Sequence, residues 1–497
     1  VSSKKYSLKT LGCKANLYDS QLIEAELQKR GWVAALTGEV SDLTVVNSCT
    51  VTDEADKQSR KMASTAAEHP QTKVVMTGCG AEVDPVKMGA SGAVDYIVGN
   101  QDKNRLVDLV LAQIDLGSKK QIDLQMEDSP DGITRGVLLG GVANYGDLLS
   151  RHPMDREWAT PESSFMLPPV HLQGETGRRR GFLKVQEGCN SFCTYCIIPY
   201  GRGPGRSLPI QALVGHVRSL VAQGIREVII TGTNIGDYGA DLSADGKATL
   251  EALIETLLSE TTLERLRISS LDPVEISPRL RKIYSTNPRL CAHFHVSLQS
   301  PHSKILRLMK RKYAAKEVEE CLSAITELPA PIGGVYAGMD VITGFPGESR
   351  EDFEWGVERL RSLPWTRLHV FPFSERVGTP ATRLPNSVPK PERARRAKIL
   401  RTLSLERMQT IHRGILDDHR AHGRMLDRVL IESAVKGPNP GQAYVGGYTS
   451  NYFRVIIPVA SVEIGESMKN QIFTVRPESV LVDSSQGDVA FMGCVTL

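Results

Sequence analysis

Short apolar runs alternate with longer amphipathic stretches along most of this 497-residue chain. Near the start, Tyr6–Leu11, Leu43–Val46 and Lys73–Met76 read as buried strands, with helices at Leu17–Arg30 and Asp53–Glu68. That alternation predicts an open parallel sheet with helices on its faces. From Gly181 to about Ser374 the pattern resumes. Strands are predicted at Phe182–Gln186, Glu227–Thr231, Arg265–Ser269, Ala292–Leu298, Gly338–Thr343 and Arg367–Phe371. Helices at Ile210–Gln223, Thr249–Ser259 and Arg350–Leu363 lie between them. Six such units predict a partial (β/α)6 barrel with its working end at the C-terminal ends of the strands. The last ~75 residues change period. Leu426–Ile431, Ala443–Tyr448, Phe453–Pro458 and Gln471–Val475 are short strands broken by Gly and Pro, which predicts a small all-β barrel. The fold class is α/β with an all-β appendage, and the expected domains are 1–117, 181–418 and 419–497, separated by a linker at 118–180.

The linker stands out by its turn dipeptides, Ser129-Pro130 and Asp131-Gly132, and by sparse apolar periodicity. It ends in Arg178–Arg180, which reads as a solvated charge run or a contact to nucleic acid. Bulk composition, 41% hydrophobic and 24% charged, is that of a globular protein. No apolar run reaches about 18 residues and the start lacks a signal-peptide core, so a cytoplasmic protein without membrane contact is expected. A net charge of +3 announces no nucleic acid by itself.

The nine cysteines change the picture, because a disulfide framework is not expected in such a chain. Cys189, Cys193 and Cys196 stand in EGCNSFCTYCIIPYGRG. Three thiolates on one short loop can hold three irons of a [4Fe–4S] cube and leave the fourth iron open. A zinc site is the competing reading, but structural zinc prefers four ligands in paired spacings. Cys13, Cys49 and Cys79 each fall just past the C-terminal end of a predicted strand. Ligands of open α/β sheets gather at that edge, so three distant loops can bring three thiolates together for a second cluster. Simple burial is the alternative for these three. Cys291 and Cys321 read as core, and Cys494 carries no argument.

Loops at the expected strand ends carry the polar residues of a cofactor pocket. Thr233 and Asn234 stand in TGTNIGDYG, Ser269 in SSLDP, Gln299 in SLQS and Gly344 in GFPGE. They offer contacts to amino, carboxylate and ribose groups, and Gly344 close backbone approach. Tyr195 between the cysteines is a candidate to pack on an adenine, with core packing the alternative.

Quoted together, GCKANLYDS, NSCTVTDEAD, GCGAE, EGCNSFCTYCIIPYGRGPGRS, TGTNIGDYG, SLQSPHSKILRLMKRKY, DVITGFPGE and HVFPFSERVGTPA resemble the motifs of the radical S-adenosylmethionine methylthiotransferases. The resemblance spans nearly all of the chain except the linker, which is long for the family. NSCTVT, LMKRKY and GYTSNYFRV are similar to the bacterial branch that acts on N6-threonylcarbamoyladenosine in tRNA. It implies two [4Fe–4S] clusters, S-adenosylmethionine, an electron donor such as flavodoxin or ferredoxin, and a sulfur source. The cluster on Cys189, Cys193 and Cys196 would cleave S-adenosylmethionine to a 5′-deoxyadenosyl radical that takes hydrogen from C2 of adenine 37. The cluster on Cys13, Cys49 and Cys79 would present the sulfur, methylated by a second S-adenosylmethionine.

The C-terminal segment resembles the family's RNA-binding TRAM domain, although its charge is nearly balanced. Tyr448, Tyr452 and Phe453 are candidates to stack on bases, with core packing the alternative. Lys304, Arg307, Lys310, Arg311 and Lys312 crowd one segment, and the helical stretch 390–428 is basic; both are candidates for phosphate contacts. Alternatives within the same chemistry are isopentenyladenosine in tRNA or a ribosomal-protein aspartate. A non-catalytic iron–sulfur RNA-binding redox sensor is the alternative from another class.

Overall fold

The computed structural model describes residues 3–36, 38–115, 137–139, 180–242 and 246–496. Apart from 137–139 and Arg180, the linker expected at 118–180 lies outside the described residues.

The first sheet is parallel throughout. Its elements are β1 (Lys5–Thr10), α1 (Lys14–Lys29), β2 (Val33–Ala34), β3 (Leu43–Ser48), α2 (Asp53–Ala67) and β4 (Lys73–Gly78). Then come α3 (Cys79–Val83), α4 (Pro85–Gly89), β5 (Tyr96–Val98), α5 (Leu106–Asp115) and β6 (Val137–Leu139). Strand order is β2-β1-β3-β4-β5-β6, so the chain direction across the sheet reverses at β1. The crevice at the C-terminal ends of β1 and β3 is the topological switch point where such sheets place ligands. Cys13 follows β1 and Cys49 follows β3, one on each side of that crevice.

The middle of the chain holds β7 (Arg180–Glu187), α6 (Ile198–Arg202), β8 (Arg206–Ser207), α7 (Ile210–Ala222) and β9 (Glu227–Gly232). Next are α8 (Leu250–Glu260), β10 (Arg265–Ile268), β11 (Ser270–Leu271), α9 (Pro278–Thr286) and β12 (His293–Gln299). The series closes with α10 (Ser303–Leu308), α11 (Ala315–Thr326), β13 (Tyr336–Thr343), α12 (Arg350–Ser362), β14 (Arg367–Pro372) and α13 (Lys390–His422). Two sheets, β10-β9-β7-β8 and β11-β12-β13-β14, meet at a bridge between Leu266 and Leu290. The six expected strands therefore stand side by side in the order β7-β9-β10-β12-β13-β14. Alternation along them splits the two faces. Val228, Ile230, Leu266, Ile268, Val296, Leu298, Met339 and Val341 pack with the helices in one apolar core. The other face carries charge: Glu227, Arg265 and Arg267 are buried there and joined by ion pairs of 2.6 to 2.8 Å. The Glu227 carboxyl would be raised by its burial, but the Arg265 and Arg267 charges outweigh that and hold it far below the usual range.

The C-terminal strands β15 (Leu426–Val435), β16 (Ala443–Tyr448), β17 (Arg454–Val459), β18 (Ile472–Asp483) and β19 (Asp488–Val495), with helix α14 (Val462–Met468), form a closed barrel in the order β15-β16-β17-β19-β18. Sequence reading missed β19 and most of β18, because polar residues at Ser479, Asp483 and Gln486 hide their alternation. This barrel is docked on the charged face. Arg265 donates to the carbonyls of Tyr448 (3.2 Å) and Thr449 (3.0 Å), and Asn451 to those of Ile332 and Gly334. Arg367 and Arg454 share Asp488.

That docking corrects several expectations. Phe453 is fully buried against Tyr336, so it is not a base-stacking surface. Tyr452 is stacked on Tyr448 and covered by the Arg267 guanidinium 4.6 Å away, while Arg180 covers Tyr448 at 5.3 Å. Arg180 itself is neither solvated nor free for nucleic acid: it pairs with Glu432 at 2.6 Å. Part of the basic helix is also internal, since Arg393, Arg396, Arg401 and Arg407 bond to neighbouring elements.

His412 on α13 packs between Phe453 and Phe491, and burial pulls its pKa down to about 4. Because the unfolded imidazole titrates near 6.5, its contribution is present above that pH and is lost as pH falls toward 4, up to about 3 kcal/mol. We expect a His412→Phe variant to show a shallower fall in thermal stability between pH 6.5 and 5 than the wild type.

Candidate active site between two cysteine triads

Gly12 takes φ +94° so that Cys13 can start α1, and a β-carbon there would meet Cys49 Sγ at 2.8 Å. Asn16, one helical turn on, donates to the carbonyls of Leu11 (2.7 Å) and Ser48 (3.0 Å). Asn47 returns a bond to the Asn16 carbonyl at 2.9 Å. These amides stitch the Cys13 and Cys49 loops together across the switch point. Cys79 opens α3, and its sulfur accepts from Asn100 at 3.4 Å.

Cys189, Cys193 and Cys196 lie on the loop between β7 and α6. Gly188 takes φ +78° because a side chain would strike the Pro204 carbonyl. The Cys189 N–H donates to Gly203 O and the Cys196 N–H to Cys193 O. Arg311 points its guanidinium at Cys193 Sγ, 3.0 Å away, and is anchored by Asp272. It therefore belongs to the site, not to an RNA-facing patch. Lys304, Arg307, Lys310 and Lys312 of the same segment are exposed, with Lys304 paired to Asp352 and Lys312 3.5 Å from Asp237.

The other pocket residues divide. Thr233 Oγ1 accepts from the Gly188 N–H at 3.2 Å, and Asn234 donates to Ser191 Oγ at 3.5 Å and to Asp237 at 2.7 Å, so both brace the Cys189 loop. Ser269 Oγ is buried with no hydrogen-bond partner among the described residues, an orphan of the kind a polar ligand satisfies. Gln299 lines the cavity described next. Gly344 does not: its N–H donates to Glu348 and its α-carbon faces Arg393. Sequence reading missed Asp272 and Glu275, which lie just beyond Ser269. Burial, helped by Asp272, pushes the Glu275 carboxyl up to about 7. Nothing in the SSLDP run distinguished them from turn carboxylates. Cys291 and Cys321 are buried as expected.

A cavity of about 350 Å³ opens beside Cys13 of the first triad and Tyr195 of the loop triad. Cys13, Val51, Thr52, Tyr195, Gln299, Asp340, Ile342 and Phe371 are among its lining residues. Tyr195 stands edge-on to Phe345, 6.4 Å between ring centroids. Two ties fix the triads relative to each other. Arg376 reaches from the loop after β14 to Thr50 O, Asp53 and Asp56. Beneath the triads, Asp19 and Glu187 are buried with Lys103, Lys184 and Arg202; Lys103 is 2.7 Å from both carboxylates. Burial would raise these carboxyls, but the three cations outweigh it and hold both low.

The donor sets suit clusters better than a single ion. Burial and the neighbouring thiols Cys79 and Cys13 push the Cys49 thiol up to about 12, and burial with Cys193 raises Cys189 and Cys196. Such thiols become ligating thiolates only beside a compensating cationic core. No three His, Cys, Asp or Glu among the described residues converge as the ligands of one metal ion would. Cube ligands are spread farther apart, each on its own iron. Cys13, Cys49 and Cys79 could hold one such group, and Cys189, Cys193 and Cys196 another.

The sheet order and the loop triad at the end of β7 define a radical S-adenosylmethionine enzyme, and residues 183–360 match the Radical SAM superfamily. Residues 5–99 match the Uncharacterized protein family UPF0004. The chain is 33% identical over 429 residues, 86% of its length and 93% of the relative's, to the threonylcarbamoyladenosine tRNA methylthiotransferase MtaB of Aquifex aeolicus. It is 30% identical to the MtaB of Bacillus subtilis, over 93% of this chain and 92% of that one. It is 27% identical to the tRNA-2-methylthio-N(6)-dimethylallyladenosine synthase of Ralstonia pickettii, over 98% of both. The chain belongs to the radical S-adenosylmethionine methylthiotransferases. No described helix is long and apolar enough to cross a membrane.

Proposed function

We propose that this protein converts N6-threonylcarbamoyladenosine at position 37 of tRNA to its 2-methylthio derivative, using two [4Fe–4S] clusters and S-adenosylmethionine. The observation that carries the reading is a single cavity lined by both Cys13 and Tyr195, the latter from the middle of the other triad. The names of the relatives at 30 to 33% identity support the choice of nucleoside.

When bound, S-adenosylmethionine and the loop-triad cluster supply the one-electron chemistry that an unactivated adenine C–H bond requires. The chain itself brings Cys13 of one triad and Tyr195 of the other triad's loop to one cavity, which shortens the path of a substrate between them. Arg311 donates to Cys193 and thereby orients that sulfur. The acidic group of Asp237, Asp272 and Glu275 suits the ammonium and sulfonium of the cofactor. Val51 and Phe371 are 51% and 43% exposed at the cavity, an apolar rim suited to a base turned out of its loop. Lys304, Arg307, Lys310 and Lys312 provide exposed charges for tRNA phosphates. We take 1–117, 181–418 and 419–497 as the domains, the last being the RNA-binding barrel through surfaces other than its docked aromatics.

Mass spectrometry of tRNA nucleosides from cells with and without the gene tests the reading. Loss of 2-methylthio-N6-threonylcarbamoyladenosine with accumulation of its unthiolated precursor is expected. Loss of the dimethylallyl analogue instead would overturn the choice of nucleoside.

A further inference from the structure

Below the cavity, the strand face that opens onto it is polar where a (β/α) barrel interior is usually filled with branched apolar side chains. Asp340, in the cavity wall, stands beside His369 in the β13–β14 register. His295 from β12 places Nε2 2.8 Å from Asp340 Oδ1, at ion-pair distance but outside hydrogen-bond geometry. The His295 and His369 rings stack, 5.0 Å apart at 9°. Gly338 leaves this level of β13 without a side chain, and a β-carbon there would stand 3.6 Å from His369 Nε2. Lys14, next to the cavity residue Cys13, is largely buried, and its charge is felt by Asp340 and His369 as well as by Arg180, Arg267 and Glu227 of the charged face. Among the described residues, neither Lys14 nor His369 makes a side-chain hydrogen bond or ion pair.

An inward-facing ammonium, two imidazoles and a carboxylate with unmet hydrogen-bonding capacity are costly unless a ligand completes them. An apolar ligand would bury them unsatisfied. We infer that Lys14, His295, Asp340 and His369 form the subsite for the N6 substituent of the target adenine, and that it takes a polar, carboxylate-bearing arm. Lys14 pairs the carboxylate of the arm. His369 and His295 donate to its remaining oxygens, and Asp340 accepts from its N–H or hydroxyl. This rests on the reading of the substrate given above and assigns the groups that separate a threonylcarbamoyl arm from a dimethylallyl one. Among the other lining residues, Ile342, Phe371 and Val51 would suit either arm.

The test is binding, not turnover. The cluster-loaded protein is titrated with three anticodon stem–loop RNAs that differ only in the target adenine: threonylcarbamoyl, dimethylallyl or unmodified. Wild type is expected to favour the threonylcarbamoyl RNA over the dimethylallyl RNA by about tenfold or more, since a site built for hydrogen bonds discriminates against a partner that lacks them. Lys14→Met and His369→Leu are each expected to cut that ratio at least about fivefold, and Lys14→Arg to keep part of it. Lys14 adjoins a cysteine of the first triad, so iron content is measured alongside. If Lys14→Met loses iron, His369→Leu on the far strand decides. Retention of the full ratio by the deciding variant, or no preference in wild type, overturns the inference. Preference for the dimethylallyl RNA, matched by the nucleoside spectra, would instead overturn the substrate reading on which it rests.

Discussion

Alanine at Cys189, Cys193 and Cys196 together is expected to abolish 5′-deoxyadenosine formation from S-adenosylmethionine under anaerobic reducing conditions. Alanine at Cys13, Cys49 and Cys79 is expected to preserve cleavage while eliminating methylthio transfer to tRNA. The asymmetry follows from the surroundings of each triad. The loop triad adjoins Arg311, Asp272, Glu275 and the orphaned Ser269 hydroxyl, which together suit a charged nucleoside cofactor. The first triad adjoins amides and a buried network in which Asp19 and Glu187 are already neutralised by Lys103, Lys184 and Arg202. Each triple variant should retain about half the iron of the wild type, since each removes one of two like sites. Equal loss of cleavage in both variants, with folding and the remaining iron intact, would refute this division of labour.

Asp19→Ala is expected to cost about 3–5 kcal/mol, the range for removing one partner of a buried charge group. Asp19 and Glu187 share Lys103, Lys184 and Arg202, and all five side chains are almost fully buried. With Asp19 gone, three cations face one carboxylate in a space from which water is excluded. The damage should be directional, because Asp19 and Lys103 belong to the first sheet's domain whereas Lys184 and Glu187 lie on β7 and Arg202 on α6. Thermal unfolding should fall by several degrees, and limited proteolysis should release the N-terminal domain first. An unchanged melting temperature would show that the two domains are held by other contacts, with Arg376 and its two aspartates the next to test.

Strand and helix positions in the first two domains were legible because their periodicity is strong and their connections are punctuated by glycine. The strand expected at Leu43–Val46 runs to Ser48, and the helix expected at Asp53–Glu68 ends one residue earlier. The cysteine spacing likewise announced the loop triad, since three ligands within eight residues need no tertiary information to be neighbours. The errors have a common origin. Tyr448, Tyr452 and Phe453 looked like a stacking surface because aromatics beside Gly and Asn on a barrel read as exposed. Docking against Arg180, Arg265 and Arg267 buries Phe453 and covers the half-buried Tyr448 and Tyr452, which is the core-packing alternative. Arg311 looked like one of five surface cations, yet a left-handed turn at Lys310 (φ +59°) aims it at Cys193 while its neighbours face solvent.

By itself the sequence determined the local units: which segments are strands, where glycines permit tight turns before cysteines, and that two sets of three thiols exist. Local interactions suffice for these, because periodicity and backbone sterics act over a few residues. Only the tertiary structure decided which side chains share a space. Lys14 and Asp340 lie more than three hundred positions apart in the chain, as do Thr50 and Arg376. Their meeting depends on α1 docking against the strands that begin at β7, and on the charges buried between them. Those interactions are long-range and collective, and no window of neighbouring residues encodes them.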